Sequence, residues 1–285
     1  MTVIMQAKEA AEQTYHAVRT KVEEWKRKGV HPLLAVIMVE GDPASVHYVK
    51  AKQKIAEKLG VAFVLHPFKA DVAEEELLRR IAGLNDDPSV HGIMLELPLP
   101  DHLSTSRIVQ APSPLKDIDG VTPRNKLAVM TGDAGLYPAT PQACIRLLQH
   151  YGYPLAGKNV TVIGRGQTVG LPLFHMLQRE HATVTVCHSR TPDLALHLGH
   201  ADIAFVAVGR RGVIRRDMVH SDLVVVDAGI NTLEDGKVVG DAAADVVQAV
   251  AAISPVPGGV GTLTTAILFE NLMKAVDLQY GEVTF

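Results

Sequence analysis

Apolar runs of strand length alternate with helix-like segments in the first half of the chain. Residues 4–28 carry apolar side chains near helical spacing, which predicts an amphipathic helix. The continuous apolar run Leu33–Val39 predicts a buried strand, and Asp42 is the expected N-cap of a following helix with Pro43 in its first turn. The same reasoning places the remaining elements of this half as helices to about Leu59 and over 72–84, and strands at Val61–Leu65 and Val90–Leu97.

The second half repeats this alternation around a glycine turn. Strands are predicted at Val160–Ile163, Thr183–Cys187, Ile203–Val208 and Leu223–Ala228, half of a hairpin at Val238–Asp241, and helices at Pro141–Tyr151, 169–180 and Thr264–Leu278. Strands that alternate with helices predict parallel sheets covered on both faces. Residues 110–139 are rich in Pro, Gly and Asp, and they are predicted to be irregular and to contain a domain boundary.

We therefore expect the α/β class, with two open α/β domains and a cleft between them. The first domain is predicted at 1–139, joined by the C-terminal helix segment 264–285, and the second is a Rossmann-type NAD(P)-binding domain at 140–263. A length of 285 residues agrees with two cores rather than one.

Charge and cysteine content narrow the class of partner. A net charge of −3 provides no electrostatic footprint for nucleic acid or an anionic membrane, and no run is long and apolar enough to span a bilayer. Lys8 and Glu9 interrupt any apolar N-terminal run of the signal-peptide kind. Cys144 and Cys187 lie in apolar segments and are expected to be buried, reduced thiols. The expected location is the cytoplasm.

A glycine turn follows the strand that ends at Ile163. Gly164, Gly166 and Gly170 give the spacing G-x-G-x-x-x-G, one residue longer than the usual dinucleotide fingerprint. A strand, a glycine turn and a helix N-terminus together form a pyrophosphate site, because the backbone can approach the anion and the helix N–H groups face it. The alternative is a purely structural turn.

The next strand is followed by Ser189 and Arg190 where an NAD-preferring site normally places an acid. A hydroxyl and the cations Arg190 and Arg165 suit a phosphate instead. We therefore expect NADP rather than NAD.

The segment after the first strand carries the candidate chemistry. On a helix, Ser45, Tyr48 and Lys52 share one face. A phenol ring could stack on a planar substrate, and a desolvated lysine can act as a base. Taken alone, Lys50, Lys52, Lys54 and Lys58 could instead be a solvated helix face.

Two acidic features complete the candidate site. Glu96 is a carboxylate in the apolar strand segment GIMLELPLP, where it has to face solvent or be paired. Lys116–Gly120, with the sequence KDIDG, is an acidic turn that fits a ligand role or a solvated turn equally well.

Nine segments in one order resemble a known family: GDPASVHYVKAKQKIAEKLGV, GIMLELPLP, KDIDG, YPATP, VIGRGQTVGLP, ATVTVCHSRT, ADIAFVAVGR, VVVDAGIN and ISPVPGGVGTLT. Together they cover nearly the whole chain and resemble bifunctional methylenetetrahydrofolate dehydrogenase/methenyltetrahydrofolate cyclohydrolase. The helix pattern Y-x-x-x-K, the LPLP strand end, the KDxDG turn and the PVPGGVG loop are jointly very specific.

The resemblance implies NADP-dependent oxidation of 5,10-methylenetetrahydrofolate and hydrolysis of the methenyl product to 10-formyltetrahydrofolate. It implies that Lys52 is the general catalyst, that Tyr48 stacks on the pterin, that Asp119 holds the pterin amino edge, and that Glu96 belongs to the catalytic set. It implies tetrahydrofolate derivatives as partners, a homodimer, a role in purine biosynthesis, and no metal. The implied substrate-binding residues are Tyr48, Val49, Lys50, Ala51, Lys52, Leu95, Glu96, Leu97, Pro257, Gly258, Gly259, Val260 and Gly261, and the implied cofactor-binding residues are Gly164, Arg165, Gly166, Ser189, Arg190 and Ile230.

Three departures from the family pattern matter. The family usually carries Gln where this chain has Glu96, and a carboxylate near Lys52 would favour the charged ammonium, which is a poor base. We therefore expect a weakened cyclohydrolase step. Gly166 replaces a serine, which removes one hydroxyl donor worth roughly 0.5–1.5 kcal/mol. The third departure is the loop GGVGTLT at Gly258–Thr264, where the family has GGVGPMT; Thr262 is still expected to cap the last helix.

Three other functions stay open at this point. A dehydrogenase-only paralogue would lack the cyclohydrolase activity, and a non-catalytic folate- or NADP-binding relative would bind its ligands without turnover. Another two-domain dehydrogenase, of the shikimate or amino-acid type, would leave KDIDG and PVPGGVG together without explanation.

Overall fold

The computed structural model describes residues 1–41 and 43–281. In chain order its helices and strands are β1 (Val3–Ile4), α1 (Lys8–Arg27), β2 (Leu33–Val39), α2 (Pro43–Leu59), β3 (Ala62–Phe68), α3 (Glu74–Asp86), β4 (Gly92–Leu95), α4 (Thr105–Ile108), α5 (Pro123–Thr131), α6 (Ala139–His150), β5 (Asn159–Ile163), α7 (Gly170–Arg179), β6 (Thr183–Cys187), α8 (Leu194–Gly199), β7 (Ile203–Val206), β8 (Val224–Asp227), β9 (Asn231–Thr232), β10 (Val238–Val239), β11 (Ala252–Ile253) and α9 (Val260–Gln279).

The chain divides into two compact units. Unit 1 comprises Met1–Gln13 and Pro138–Ile267, and unit 2 comprises Thr14–Tyr137 and Leu268–Phe285. The divisions at 13/14 and 267/268 therefore fall inside α1 and α9. The domain bounds expected from the sequence stay a prediction.

Unit 1 is built on a six-stranded sheet in the order β1-β11-β8-β7-β5-β6, and every pair is parallel. Strands β7 and β8 are buried along their whole length, which is why they read as continuous apolar runs. Buried side chains between the sheet and its covering helices form the core of this unit, among them Leu198, Ile214, Leu223 and Val246. This is the Rossmann-type arrangement expected from the sequence.

Unit 2 has a three-stranded parallel sheet in the order β3-β2-β4. Its central strand β2 is the apolar run Leu33–Val39, which is buried from Leu34 onwards. Residues Leu77, Ile81 and Leu84 of α3 are buried against the sheet at helical spacing. The α/β prediction is confirmed for both units.

Several local predictions were wrong. Val3–Ile4 is a strand rather than the start of the first helix, because it pairs with Ala252–Ile253 far along the chain. The segment predicted to be irregular contains α5 (Pro123–Thr131), which is followed by Gly132 as C-cap in the left-handed conformation. The strand predicted to end at Leu65 continues to Phe68.

Two other local predictions, the hairpin and the buried cysteines, are confirmed. Val238–Val239 pairs with β9 as half of a hairpin, and both cysteines are buried free thiols. The predicted N-cap Asp42 lies outside the described residues. Across the helices that the structure describes, no segment has the length and apolar content needed to cross a membrane.

Candidate active site

Helix α2 places Lys52 differently from its other lysines. Val49, Ala56 and Leu59 are buried and fix one face of the helix against the core of unit 2. The Lys52 side chain is 19% exposed, whereas the other three lysines of the helix, Lys50, Lys54 and Lys58, are exposed. The alternative of a solvated face therefore describes those three and is wrong for Lys52.

Glu96 is the partner of Lys52. It directly follows β4, where its backbone N–H donates to the Ile37 carbonyl at 2.9 Å and continues the sheet ladder. Its side chain is 7% exposed, and Oε2 accepts a hydrogen bond from Lys52 Nζ at 2.7 Å. Of the two environments expected for this carboxylate, the structure has the buried, paired one. A charge-assisted bond of this length is stronger than a neutral one.

The KDIDG segment is packed into unit 2 rather than solvated. Ile93 N donates to the Lys116 carbonyl at 2.7 Å, and Asp117 forms a parallel bridge with Ile93, so the segment lies beside β4. Asp117 is buried, and its Oδ2 accepts from Thr122 N at 2.8 Å and Asn125 Nδ2 at 2.9 Å. The alternative of a solvated turn is therefore wrong.

Lys116 holds the start of this segment. Its buried ammonium donates to three carbonyls around the C-terminal end of α3, Leu84 O at 3.0 Å, Asn85 O at 2.8 Å and Asp87 O at 2.7 Å. These are carbonyls that a helix end leaves without intrahelical partners. Burial lowers the pKa of Lys116. Sequence reasoning missed this role, because the partners lie about thirty residues earlier in the chain.

Asp119 lies within the electrostatic field of the Lys52–Glu96 pair. The pKa of Asp119 is raised to about 7, chiefly by burial; the negative charges of Asp117 and Glu96 act in the same direction, and the Lys52 ammonium opposes them. Asp119 therefore interacts through charge with the hydrogen-bonded pair, and we call the three side chains the charged cluster (Lys52, Glu96 and Asp119). Around neutral pH, Asp119 can hold or release a proton.

The other predicted folate contacts of unit 2 fall into two groups. Tyr48 and Leu97 are each 41% exposed, and Lys50 and Ala51 are also exposed. In contrast, the side chains of Val49 and Leu95 are buried in the core. Tyr48 is one helical turn from Lys52, so an exposed ring flanks the ammonium on the same face.

The glycine turn of unit 1 has the geometry that an anion site needs. Gly164 has a φ of +116°, and a Cβ there would come within 3.1 Å of Val208 Cγ1. Gly170 at the start of α7 packs directly on the Gly164 carbonyl, which closes the turn tightly. At Gly166 an added Cβ would meet nothing within 4 Å. The outer side of the turn is therefore open, and the exposed Arg165 lies beside it.

The loop after β6 presents the two residues predicted to recognise a phosphate. His188 N donates to Thr191 Oγ1 at 2.9 Å, and Arg190 N donates to His188 Nδ1 at 3.1 Å, so the loop is fixed by its own hydrogen bonds. Ser189 and Arg190 are exposed on it. A hydroxyl and a guanidinium in this arrangement suit a phosphate group.

The remaining predicted residues of unit 1 lie after β8 and β11. Ile230 is exposed. In the loop Pro257–Gly261, Pro257 and Gly261 are exposed and Gly259 and Val260 are buried. The last helix begins at Val260. Thr262 therefore lies inside its first turn, and the prediction that Thr262 caps the helix was wrong.

Two family models match the chain, one in each part. One family model, the tetrahydrofolate dehydrogenase/cyclohydrolase catalytic domain, matches residues 5–119, and a second, the NAD(P)-binding domain of the same family, matches residues 138–280. The bifunctional protein FolD 2 of Desulfitobacterium hafniense (strain Y51) is 47% identical over 283 residues, which is 99% of each chain.

Solved structures of this kind of enzyme are similar to the chain along almost its whole length. The bifunctional enzyme FolD of Campylobacter jejuni, a methylenetetrahydrofolate dehydrogenase/cyclohydrolase, is 39% identical with a TM-score of 0.94, over 97% of this chain and 99% of that one. The Trypanosoma brucei FolD, solved with NADP cofactor and inhibitor, is 31% identical with a TM-score of 0.92, over 99% of both chains.

Proposed function

The chain belongs to the tetrahydrofolate dehydrogenase/cyclohydrolase family, and from this premise we propose that the charged cluster is where its folate substrate is converted. The protein oxidises 5,10-methylenetetrahydrofolate with NADP and hydrolyses the methenyl product to 10-formyltetrahydrofolate. The observation that carries the residue assignment is the 2.7 Å contact between Lys52 Nζ and Glu96 Oε2. The exposed Tyr48 lies one helical turn before Lys52 on α2.

The dehydrogenase step needs position more than proton transfer. A C–H bond of the methylene carbon breaks, its electron pair leaves as hydride, and a methenyl cation remains. Bound NADP supplies the hydride acceptor. Tyr48 would stack on the planar pterin, and Asp119 would hold its amino edge. Effective positioning of two reactants can supply a large part of the barrier reduction.

Residues of unit 1 fit the cofactor. Gly164 and Gly170 make a turn that a side chain would disrupt, and the open side at Gly166 leaves room for a pyrophosphate. Ser189 and Arg190 would bind the 2′-phosphate, and Arg165 would add positive charge. Ile230 would border the nicotinamide, and Pro257–Gly261 would border the folate.

The cyclohydrolase step needs a base. Water forms a bond to the methenyl carbon, and one C–N bond of the ring breaks to leave the formyl group on the other nitrogen. Of the two water protons, one is transferred to the departing nitrogen and the other is released to solvent. Lys52, in its amine form, would accept a proton from the water and then donate a proton to the departing nitrogen. General acid–base catalysis of this kind contributes about 10²–10⁴-fold.

Glu96 is expected to slow that second step. The carboxylate stabilises an ammonium at 2.7 Å through charge and a hydrogen bond, whereas only the amine form can take up a proton. The usual glutamine would accept the same bond without the charge. This chain would therefore oxidise its substrate faster than it hydrolyses the product.

A steady-state assay tests the proposal. Methylenetetrahydrofolate is supplied with NADP or with NAD, and the formation and decay of methenyltetrahydrofolate are followed separately. We expect turnover with NADP, a lower kcat/KM with NAD, and decay slower than formation.

The variant Arg190→Ala tests the phosphate contact. Its kcat/KM for NADP should fall by about 10- to 100-fold, because hydrogen bonds to charged groups contribute about 1.5–3 kcal/mol. An NAD preference in the unaltered protein would contradict the assignment of Ser189 and Arg190.

The alternatives are less well supported. A dehydrogenase-only enzyme would show no decay of methenyltetrahydrofolate above the uncatalysed rate, and a binding protein would show no turnover. Neither is favoured by relatives that are named as bifunctional and are matched along almost the whole chain. Membership of the family also disfavours a shikimate or amino-acid dehydrogenase.

Three finer points extend the proposal. Residues 1–139 with 264–285 would form the folate-binding domain and 140–263 the NADP-binding domain, in keeping with family matches at 5–119 and 138–280. Family likeness supports a homodimer, which light scattering after gel filtration would detect. It also supports a cytoplasmic role in which the formyl product feeds purine biosynthesis.

A further inference from the structure

Two buried aspartates of unit 1 have no part in the reactions described above. Asp227 is the last residue of β8, and Asp241 follows the β9–β10 hairpin. They are 3% and 0% exposed. Buried carboxylates are costly unless they are paired or hydrogen-bonded, so each of them has to be held by other groups.

Asp241 joins two segments that lie apart in sequence. Its Oδ2 accepts from Val208 N at 2.7 Å and from Gly209 N at 3.0 Å, in the loop that follows β7. Its Oδ1 accepts from Asn231 Nδ2 at 2.9 Å, directly after Ile230. One carboxylate therefore fixes the loops at the carboxyl ends of two neighbouring parallel strands, the edge at which open α/β sheets bind ligands.

Asp227 holds Asp241 in place. Its Oδ1 accepts from Gly229 N at 2.9 Å and from Asp241 N at 3.1 Å, and its Oδ2 accepts from Ala242 N at 2.8 Å. The pKa of Asp227 is raised to about 6, chiefly by burial; the three backbone N–H groups oppose this rise, and the Asp241 charge contributes to it. We call Asp227 and Asp241 the amide-bound pair, because most of their hydrogen bonds come from backbone N–H groups.

Two glycines make this arrangement possible. A Cβ added at Gly229 would collide with the Asp241 carboxylate, and one added at Gly240 would collide with the Asp227 carboxylate. The backbone therefore lies directly against each carboxylate, with no room for a side chain. The pair is enclosed by main chain, which leaves little freedom for either loop to shift.

The loop held by Asp241 is also the surface on which the glycine turn rests. A Cβ at Gly164 would come within 3.1 Å of Val208 Cγ1 and 2.5 Å of the Ala207 carbonyl oxygen. Gly164 therefore lies close to 207–208 with no room for a side chain between them, and Ala207 N donates to the Ile163 carbonyl at 3.0 Å. A movement of 207–209 would for this reason move the turn at 164–166. The hydrogen bonds of Asp241 thus extend through one packed loop to the residues assigned to NADP.

We propose that Asp241 is a positioning residue for the NADP site, acting through loop 207–209 on the glycine turn and through Asn231 on Ile230. This rests on the assignment of NADP to that turn. Hydrolysis of methenyltetrahydrofolate uses no NADP, so it reports separately on the folate chemistry. A loss of position should therefore appear in cofactor binding before it appears in hydrolysis.

The test is Asp241→Asn, with NADP binding measured by calorimetry and hydrolysis measured on preformed methenyltetrahydrofolate without NADP. The amide keeps the size of the side chain but replaces one acceptor oxygen with a donor. We expect the Kd for NADP to rise about tenfold or more and kcat for hydrolysis to change by less than about twofold. Asp235→Asn, in the exposed turn of the same hairpin, is the matched control and should leave both unchanged.

A milder variant keeps the proposal testable if Asp241→Asn does not fold. Asn231→Ala removes the amide that binds Asp241 Oδ1, and the Kd for NADP should rise by about threefold. An unchanged Kd in both folded variants would overturn the proposal. So would an equal fall in NADP binding, hydrolysis and melting temperature, because that pattern describes a general loss of structure. If the unaltered protein did not bind NADP, the cofactor assignment itself would be wrong, and the proposal for Asp241 would be overturned with it.

Discussion

Two groups of carboxylates, Glu96 with Asp119 in unit 2 and Asp227 with Asp241 in unit 1, have different kinds of partner. In unit 2, Glu96 binds the Lys52 ammonium, and Asp119 lies in the field of both. In unit 1, Asp227 and Asp241 are bound chiefly by backbone N–H groups at 2.7 to 3.1 Å. A side-chain ammonium can give up a proton, whereas a backbone N–H cannot do so near neutral pH. The charged cluster is therefore suited to chemistry, and the amide-bound pair to fixing geometry.

The sharpest way to break this contrast is to remove the ammonium. Lys52→Met keeps the aliphatic stem and loses the proton-carrying group. We expect hydrolysis of methenyltetrahydrofolate to fall by about 10²–10⁴-fold, the usual contribution of a general base. Stopped-flow or steady-state absorbance of the methenyl product measures it.

The matched control is Lys54→Met, on the same helix and exposed. Its hydrolysis rate should stay within about twofold of the unaltered protein, since surface substitutions have small effects. A Lys52→Met protein with normal hydrolysis would show that the charged cluster is structural, and the contrast with unit 1 would disappear.

The corresponding change in the amide-bound pair should act on stability instead. Asp227→Asn cannot accept hydrogen bonds at both side-chain positions, so at least one of the N–H groups of Gly229, Asp241 and Ala242 loses its partner. An unsatisfied buried donor costs about 1–3 kcal/mol. Urea unfolding should show this loss, and Asp222→Asn, which is exposed before the same strand, should show almost none. Equal stability of the two variants would contradict the fixing role.

The contrast also explains what could be read from the sequence. Local patterns predicted β2, α2 and the glycine turn, because continuous apolar runs and glycine spacing are properties of neighbouring residues. The Y-x-x-x-K spacing placed Tyr48 beside Lys52 for the same reason. The pairing of Glu96 with Lys52 was one of two environments expected for that carboxylate.

What the sequence did not predict depends on distant partners. Strand β1 exists only through its pairing with β11, about 250 residues away, and Asp241 binds a loop 33 residues earlier. Lys116 was read as part of an acidic turn, although its carbonyl partners lie in and just beyond α3. Helix α5 is the exception, because Pro123 at its first turn and Gly132 at its end were readable signals that the Pro- and Gly-rich composition obscured.

A smaller change refines the charged cluster itself. Glu96→Gln keeps an acceptor for Lys52 but removes the negative charge at 2.7 Å. We expect hydrolysis to increase by about tenfold, equivalent to about 1.4 kcal/mol of transition-state stabilisation, while the dehydrogenase rate changes less. Both are measured with the two-step assay and compared as a ratio.

Glu57→Gln is the control for Glu96→Gln, since it removes a carboxylate from the exposed side of α2. The ratio of the two activities should not change in this variant. If Glu96→Gln left hydrolysis at the level of the unaltered protein, the carboxylate would not be what slows the second step.

The smallest expected effect is a pH dependence of stability from Asp119. Burial raises its pKa to about 7, above that of an aspartate in the unfolded chain, near 3.9. The folded state then binds its proton more tightly than the unfolded state, so this contribution to stability is complete below about pH 4 and is lost as the pH rises through about 7.

The variant Asp119→Asn removes the titrating group. The melting temperature of Asp119→Asn minus that of the unaltered protein should therefore be larger at pH 8 than at pH 5, by roughly a few degrees. Asp133→Asn, an exposed carboxylate of the same unit, serves as the control and should show the same difference at both pH values. A constant difference for Asp119→Asn as well would mean that Asp119 is ionised throughout this range, and the charged cluster would then carry two negative charges against the single ammonium.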